Sequence, residues 1–159
     1  MSKQKNVLGE DLELCSNTPL TGWFRDGCCN TDENDKGLHT VCVQVNDEFL
    51  EWCKNAGNDL ITPHPNHGFP GLKNGDKWCV CASWFARAVE AGKGYPIFLK
   101  RTHVNTLKII PIETLKRFAK DLSELHITLS RTSTTLWSDP IDILRRLFNI
   151  ASFTVYAIL

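Results

Sequence analysis

The run Phe69-Pro-Gly-Leu-Lys-Asn-Gly-Asp-Lys-Trp-Cys-Val-Cys-Ala-Ser-Trp84 decides how the rest of the sequence is interpreted. It begins as a loop rich in proline and glycine, continues as a β-like run over residues 77–82, and ends in a predicted helix over residues 83–91. Alternate side chains of a strand point the same way, so Cys79 and Cys81 are predicted to share one face. A strand-to-helix junction that carries polarisable side chains is a common place for a functional site.

A second strand and helix are predicted upstream of this run. Residues 38–45 alternate as a strand does, with His39 on one face and Cys42 on the other. Asn46 is a suitable N-cap for a helix over residues 47–55. Further downstream the sequence predicts strands over residues 96–100 and 108–110, a helical turn over 103–107 and a helix over 112–120. These elements together predict an α+β fold, a single compact domain with a small mixed or antiparallel sheet and three to four helices.

The 159 residues suffice for one domain with a buried core. Residues 1–5 are expected to form a flexible tail and residues 6–122 the globular α+β domain. The composition then changes: residues 128–138 are rich in serine and threonine, and an apolar segment follows. Residues 123–159 are therefore interpreted as an atypical, poorly ordered C-terminal extension that the domain does not need.

Composition and charge exclude some classes of function. The 18 basic residues are balanced by 18 acidic ones. A neutral chain lacks the basic surface that binds nucleic acid nonspecifically or attaches to anionic lipid, so neither partner is expected. No apolar run has the length of a transmembrane helix.

The seven cysteines are an odd number, and no secretory signal precedes them. This combination favours reduced thiols in the cytoplasm over a disulfide framework. One group of candidate site residues is formed by these cysteines together with His39. Three interpretations stay open for it, namely buried thiols, a reactive or redox thiol, and a zinc site, although no Cys-x-x-Cys spacing supports a metal. The group comprises Cys28, Cys29, Cys42, Cys79 and Cys81.

A second group consists of polar residues that flank glycines and prolines. Asp26, Asp59, His39 and Cys28 are the predicted catalytic residues, with a carboxylate as base and Arg25 as anion holder. Asp59 is expected to point inward with a raised pKa, because shielding from water disfavours its charged form. The alternative is that the aspartates cap turns and Arg25 pairs with its neighbour. The predicted ligand-binding residues are Arg25, Cys29, Asn58, Trp78, Cys79, Cys81 and His103, and no metal ligand or cofactor is assigned.

Two loops are interpreted as surface. Asp32, Glu33 and Asp35 lie in a polar loop whose spacing does not match a calcium-binding loop, so they are expected to be solvated. His64 and His67 lie in a proline-containing loop and are interpreted as exposed histidines without a role.

Enough short motifs are present for a family resemblance. They include Asn6-Val-Leu-Gly9, Arg25-Asp-Gly-Cys-Cys29, Gly57-Asn-Asp-Leu60, Phe69-Pro-Gly-Leu72 and Thr102-His103. With these motifs, residues 6–122 resemble a family of small, mostly bacterial proteins known as domain of unknown function 2237. The resemblance implies a compact α+β domain and no particular activity. Members of the family usually have Arg-Trp where this chain has Trp84-Phe85, and they usually end near Leu122.

The sequence therefore favours a cytoplasmic domain that binds or transforms a small molecule. Its site is expected between the turn at residues 25–29, the loop at 58–59 and the strand at 78–81. A metal- or thiol-dependent protein, using zinc or redox chemistry, is the first alternative. A noncatalytic protein-interaction module is the second.

Overall fold

The computed structural model describes residues 4–122. Within them, strands β1 (Val41–Gln44) and β2 (Lys77–Val80) form an antiparallel sheet. Three α-helices accompany it, α1 (Asp47–Asn55), α2 (Ala82–Glu90) and α3 (Ile112–Lys116). The predicted α+β class is confirmed. The predictions for residues 1–3 and for the extension at 123–159 lie outside the described residues.

The register of the sheet places Cys42 directly opposite Cys79. The backbone N–H of Cys42 donates to the Thr102 hydroxyl at 3.2 Å, and that of Cys79 donates to the Thr21 hydroxyl at 2.8 Å. Because both N–H groups bond to threonines, this pair occupies a non-hydrogen-bonded position, where facing side chains approach most closely. The two cysteines therefore extend side by side from one face of the sheet.

The opposite face of β1 forms the main core. Val41 and Val43 are fully buried there and pack with Phe49 of α1 and Phe85 of α2. Helix α1 has the bounds that the sequence predicts, and Asn46 caps it by accepting the N–H of Phe49 at 2.8 Å. The alternation of β1 therefore separates an aliphatic face from a cysteine face.

Several predicted elements differ from the structure. Strand β2 ends at Val80, so Cys81 is the N-cap of α2 and not a strand residue on the same face as Cys79. The predicted strand at 96–100 becomes a 3-10 helix at Leu99–Arg101, because the Asp121 carboxylate accepts the N–H groups of residues 99 and 100.

The segment before α3 also forms no strand. Residues Val104–Lys108 form a 3-10 helix, and the N–H of Ile110 turns back to the carbonyl of Thr106. Helix α3 ends earlier than predicted, since the carbonyl of Phe118 and the N–H of Lys120 both bond to the backbone of Ile97. This pairing draws the chain out of the helix and along Ile97.

The first described residues are hydrogen-bonded, although the sequence assigns them to a tail. Gln4 exchanges two side-chain hydrogen bonds with the backbone of Thr31, at 2.9 and 3.0 Å. The carbonyl of Lys5 accepts the N–H of Val104 at 2.9 Å. None of the helices within residues 4–122 is both long and apolar enough to cross a bilayer.

Candidate functional site

Two disulfides connect the cysteine face of the sheet to the N-terminal loops. Cys42 of β1 bonds to Cys15, and Cys79 of β2 bonds to Cys29. All four residues are at most 3% exposed. The expectation that the cysteines are all reduced thiols is thus wrong for these four. The second bond joins Cys29 to Cys79, two members of the cysteine group that the sequence suggests. Cys28, Cys53 and Cys81 lie outside the disulfides.

The most informative cluster of polar side chains is Asp35, His39 and Cys81. The Oδ1 atom of Asp35 lies 2.6 Å from Nδ1 of His39. The thiol of Cys81 interacts with the His39 side chain strongly enough to raise that histidine's pKa. The three groups form a carboxylate–imidazole–thiol array, which is the arrangement that activates a nucleophilic cysteine.

Asp35 is 2% exposed, so its interpretation as a solvated loop residue is wrong. Its Oδ2 atom accepts the Thr31 hydroxyl at 3.0 Å and the backbone N–H of His39 at 2.8 Å. These hydrogen bonds replace the hydrogen bonds to water that the carboxylate loses on burial. The exposed Asp32 begins the turn by accepting the N–H of Asp35 at 3.2 Å, so one acid of this loop builds the turn and another is buried in it.

Cys81 reaches the array from the first turn of α2. It is the N-cap residue of that helix, yet its side chain makes no capping hydrogen bond. The following N–H, of Ala82, donates to the carbonyl of Leu38 at 2.8 Å and holds the helix start against the His39 loop. The positive end of the helix dipole lies at this position and favours a negative charge.

Gly37 permits the close approach of the thiol and the ring. A Cβ atom at this position would lie 3.0 Å from Sγ of Cys81 and 3.1 Å from Cε1 of His39. Any side chain at residue 37 would therefore displace the Cys81 thiol and the His39 ring. The absence of a side chain at residue 37 is thus part of the site's geometry.

The array raises the pKa of His39 to about 9. The interaction in which the protonated ring donates to the Cys81 sulfur is the largest cause of the rise in pKa, and burial of the ring opposes it. The hydrogen bond with Asp35 and the negative charges of both neighbours add to the rise. His39 is therefore an imidazolium at neutral pH. Trp23 stacks on its ring with 5.7 Å between centroids and a 15° angle between planes.

His39 also lines a cleft with a volume of about 350 Å³. The guanidinium of Arg25 lies 5.0 Å from the ring centroid of Trp78, and Phe69 contacts the same indole edge-on at 5.4 Å. The cleft combines cations with aromatic faces. Its lining residues are Gly22, Trp23, Arg25, His39, Asp59, Leu60, His64, His67, Phe69, Trp78 and Cys79.

The structure brings five of the residues proposed from sequence to this cleft, namely Arg25, His39, Asp59, Trp78 and Cys79. His64 and His67, which the sequence left without a role, line it as well. Both histidines lie in the loop between Asp59 and Phe69, which also line the cleft. That position in the sequence could have identified them as cleft residues.

The other proposed residues do not line the cleft. Cys81 belongs to the array beside it, and Asp26, Asn58 and His103 hold local structure. Asp26 accepts the N–H of Cys28 at 3.0 Å and the Asn30 amide at 2.6 Å. The backbone N–H of Asn58 donates to the carbonyl of Cys53 where α1 ends. His103 is buried and caps a 3-10 helix through its Nδ1 atom, and burial lowers its pKa, with Lys108 adding to the effect.

The pKa of Asp59 differs from the expectation. Its pKa is lowered to about 2, because the backbone N–H and hydroxyl of Thr62 and the N–H of Ile61 all donate to the carboxylate. The predicted rise is wrong: these donors stabilise the anion by more than burial penalises it. Asp59 is thus a fixed carboxylate at the cleft rim rather than a base.

Among the described residues, one group of side chains has metal-binding potential. The Sγ atoms of Cys15, Cys29 and Cys79 all lie within 4.8 Å of one another. Cys28, Cys81 and His39, which the sequence grouped with these cysteines, are not part of this cluster.

The family model described as an uncharacterized protein conserved in bacteria (DUF2237) matches residues 5–119. No curated protein matches the chain.

Proposed function

Because the chain belongs to the DUF2237 family, whose description names no reaction, we propose its function from its own site: an enzyme that attacks a small electrophilic substrate with Cys81. The observation that carries this proposal is the array of Asp35, His39 and Cys81. A thiol beside a histidine that a buried carboxylate orients is the minimal machinery of cysteine nucleophiles.

Each group has one role. Cys81 forms the bond to the electrophilic carbon, for which an ester or thioester carbonyl is the simplest case. The imidazolium of His39 stabilises negative charge on the attacking sulfur and then gives its proton to the leaving group. Asp35 holds Nδ1, so Nε2 is the nitrogen that exchanges the proton. Water then cleaves the thioester and restores the thiol, so the reaction consumes one water and needs no redox partner.

The cleft supplies recognition at the His39 end of the array. Arg25 and the imidazolium of His39 favour a substrate with an anionic group, and Trp23 and Trp78 offer flat apolar faces. Asp59 places a fixed negative charge on the rim, which disfavours a second anion there. We therefore assign a small substrate with a single negative charge and a planar or apolar part.

p-Nitrophenyl acetate tests the chemistry without knowledge of the natural substrate. We expect a burst of p-nitrophenolate, with the acetyl group mapped to Cys81 by mass spectrometry. His39→Asn should slow acylation by about 100-fold, which is the lower range for loss of acid–base assistance. Cys53→Ala is the matched control, since that thiol is buried elsewhere and should leave the burst unchanged.

A burst that survives in Cys81→Ala, or an acetyl group mapped to Cys28, would contradict the proposal. Circular dichroism of each variant separates loss of the thiol from loss of the fold.

A cytoplasmic location is part of this proposal. The reducing conditions of that compartment would favour the thiol form of the four cysteines that the structure shows as disulfides. Their chemistry in that reduced state is a separate question from the reaction of Cys81.

A further inference from the structure

We propose that Cys15, Cys29, Cys42 and Cys79 form a binding site for one Zn²⁺ ion when their two disulfides are reduced. The Sγ atoms of Cys15, Cys29 and Cys79 already lie within 4.8 Å of one another, and Cys42 is bonded to Cys15. Three sulfur atoms therefore share one small volume, and the fourth, of Cys42, lies outside that 4.8 Å group but adjoins it through its bond to Cys15. In a tetrahedral zinc–thiolate site, Zn–S bonds of about 2.3 Å put the sulfur atoms roughly 3.8 Å apart.

The fold holds the four cysteines in place from different directions. Cys42 and Cys79 face each other on β1 and β2 at a non-hydrogen-bonded position. Cys15 is held by its own N–H, which donates to the carbonyl of Gly27 at 2.8 Å. The same turn leads directly into Cys29. The backbone hydrogen bonds of Cys15, Cys42 and Cys79 do not depend on the disulfides, so they can keep the sulfur atoms near one another after reduction.

The site is closed to water, as structural zinc sites are. Its four cysteines form a buried cluster of their own, and Phe98 packs against it. Lys77 and Arg101 lie over the Phe98 ring at 5.3 and 4.8 Å. A zinc ion with four thiolates carries two negative charges, and these two cations lie on the aromatic ring that packs against the cluster.

The chemistry balances with a phosphine or dithiol as reductant. Each disulfide takes up two electrons and two protons and gives two thiols. Binding of Zn²⁺ then releases the four thiol protons and forms four Zn–S bonds. Four buried thiols without a metal would be a cluster of weakly paired polar groups, whereas the metal gives each sulfur a strong partner.

This site is distinct from the proposed nucleophile. Cys81 and His39 do not belong to the sulfur cluster, so zinc binding and the acylation of Cys81 can succeed or fail separately.

The test uses the full chain, reduced anaerobically with a phosphine and freed of small molecules, and Zn²⁺ as the only probe. We expect the reduced protein to bind one equivalent and the oxidised protein none. Co²⁺ in place of Zn²⁺ should give the intense visible bands of a tetrahedral sulfur site. That spectrum is measured on the unaltered chain, so it stays informative if a variant fails to fold.

Cys79→Ser should lose the bound equivalent, and Cys81→Ser, two residues away, should keep it. The proposal is overturned if the reduced chain binds no stoichiometric zinc. It is overturned equally if Co²⁺ gives a pale octahedral spectrum, or if Cys81→Ser loses the metal as Cys79→Ser does.

Discussion

One carboxylate holds both the ring and the main chain of His39. Oδ1 of Asp35 lies 2.6 Å from Nδ1 of His39, while Oδ2 accepts the backbone N–H of the same histidine at 2.8 Å. The ring cannot rotate without losing the first bond, and the loop cannot shift without losing the second. Asp35 thereby fixes the direction in which the imidazole meets Cys81.

Removing either neighbour should lower the pKa of His39 from about 9. Cys81→Ser should lower it more than Asp35→Asn, because the Cys81 hydrogen bond is the largest cause of the rise. The measurement is an NMR titration of the His39 ring protons in the three proteins. Asp32→Asn, an exposed acid of the same loop, is the control and should leave the pKa near 9. The reverse order of the two effects would contradict the assigned causes.

The raised pKa of His39 should make stability depend on pH. A histidine whose folded pKa is above its unfolded value of 6.5 contributes stability fully below pH 6.5 and loses it as the pH rises through about 9. Since the side chain is 36% exposed, solvent screening leaves about 1–2 kcal/mol of the full effect. Urea unfolding of wild type and His39→Asn at pH 6 and pH 9.5 measures it. Equal losses in both proteins would remove His39 as the source.

Cys81 should be alkylated much faster than Cys53. Burial raises the pKa of Cys53 to about 11, and the indole N–H of Trp84 at 3.2 Å only partly opposes this. The difference in pKa sets the difference in thiolate fraction. At pH 7.5 the thiolate fraction of Cys53 should therefore be smaller than that of an ordinary thiol by roughly 100 times or more. Iodoacetamide labelling followed by peptide mass mapping gives both rates. Comparable rates at the two positions would show that Cys81 is not activated.

Gly37→Ala should weaken the array with little effect on the fold. The added Cβ would meet Sγ of Cys81 and Cε1 of His39 at 3.0–3.1 Å, closer than ordinary contact. We expect slower alkylation of Cys81, a lower pKa of His39 and a stability loss of about 1 kcal/mol. Lys36→Ala is the matched control, since the side chain of this exposed neighbour donates to the carbonyl of Glu33 and the substitution keeps its backbone bonds. An unchanged alkylation rate in Gly37→Ala would place the pair farther apart than described.

Reduction of the disulfides should destabilise the oxidised protein strongly. Cys15–Cys42 and Cys29–Cys79 close loops with sequence separations of 27 and 50 residues. Loop-closure entropy assigns about 3–4 kcal/mol to each, with overlap between the two. Thermal unfolding in the presence of a chelator, with and without phosphine, measures the combined effect. Cys53→Ala should respond to phosphine as wild type does, and an unchanged Tm on reduction would argue against both bonds.

Local signals made part of the fold predictable. Helix α1 was predicted with its observed bounds, because Asn46, the acids after it and Gly57 all act within one turn of its ends. The prediction of a strand at 96–100 is wrong for the opposite reason. The conformation of this segment depends on Asp121, which lies more than twenty residues away. The Asp121 carboxylate accepts the backbone N–H groups that would otherwise donate to a neighbouring strand.

The site was predictable in pieces. The sequence places His39 and Cys81 together in the cysteine group, but it assigns Asp35 to a solvated loop. An aspartate in a loop with other acids is usually solvated; here a hydroxyl and an N–H four residues to either side bury it. The Asp35-x-x-x-His39 spacing was the available signal. The disulfide partners could not be chosen from spacing, since seven cysteines allow many pairings.

The loop between Cys15 and Cys29 has a consequence for how such proteins can diversify. Its ends are bonded to facing positions of the sheet, and its middle carries Trp23 and Arg25 into the cleft. Asp35, His39 and Cys81 lie outside it. Substitutions within this loop can therefore change which ligand is recognised while the ends, and the reacting groups beyond them, stay where they are. The arrangement resembles a hypervariable loop on an antibody framework, with selectivity and chemistry inherited on separate stretches of one gene.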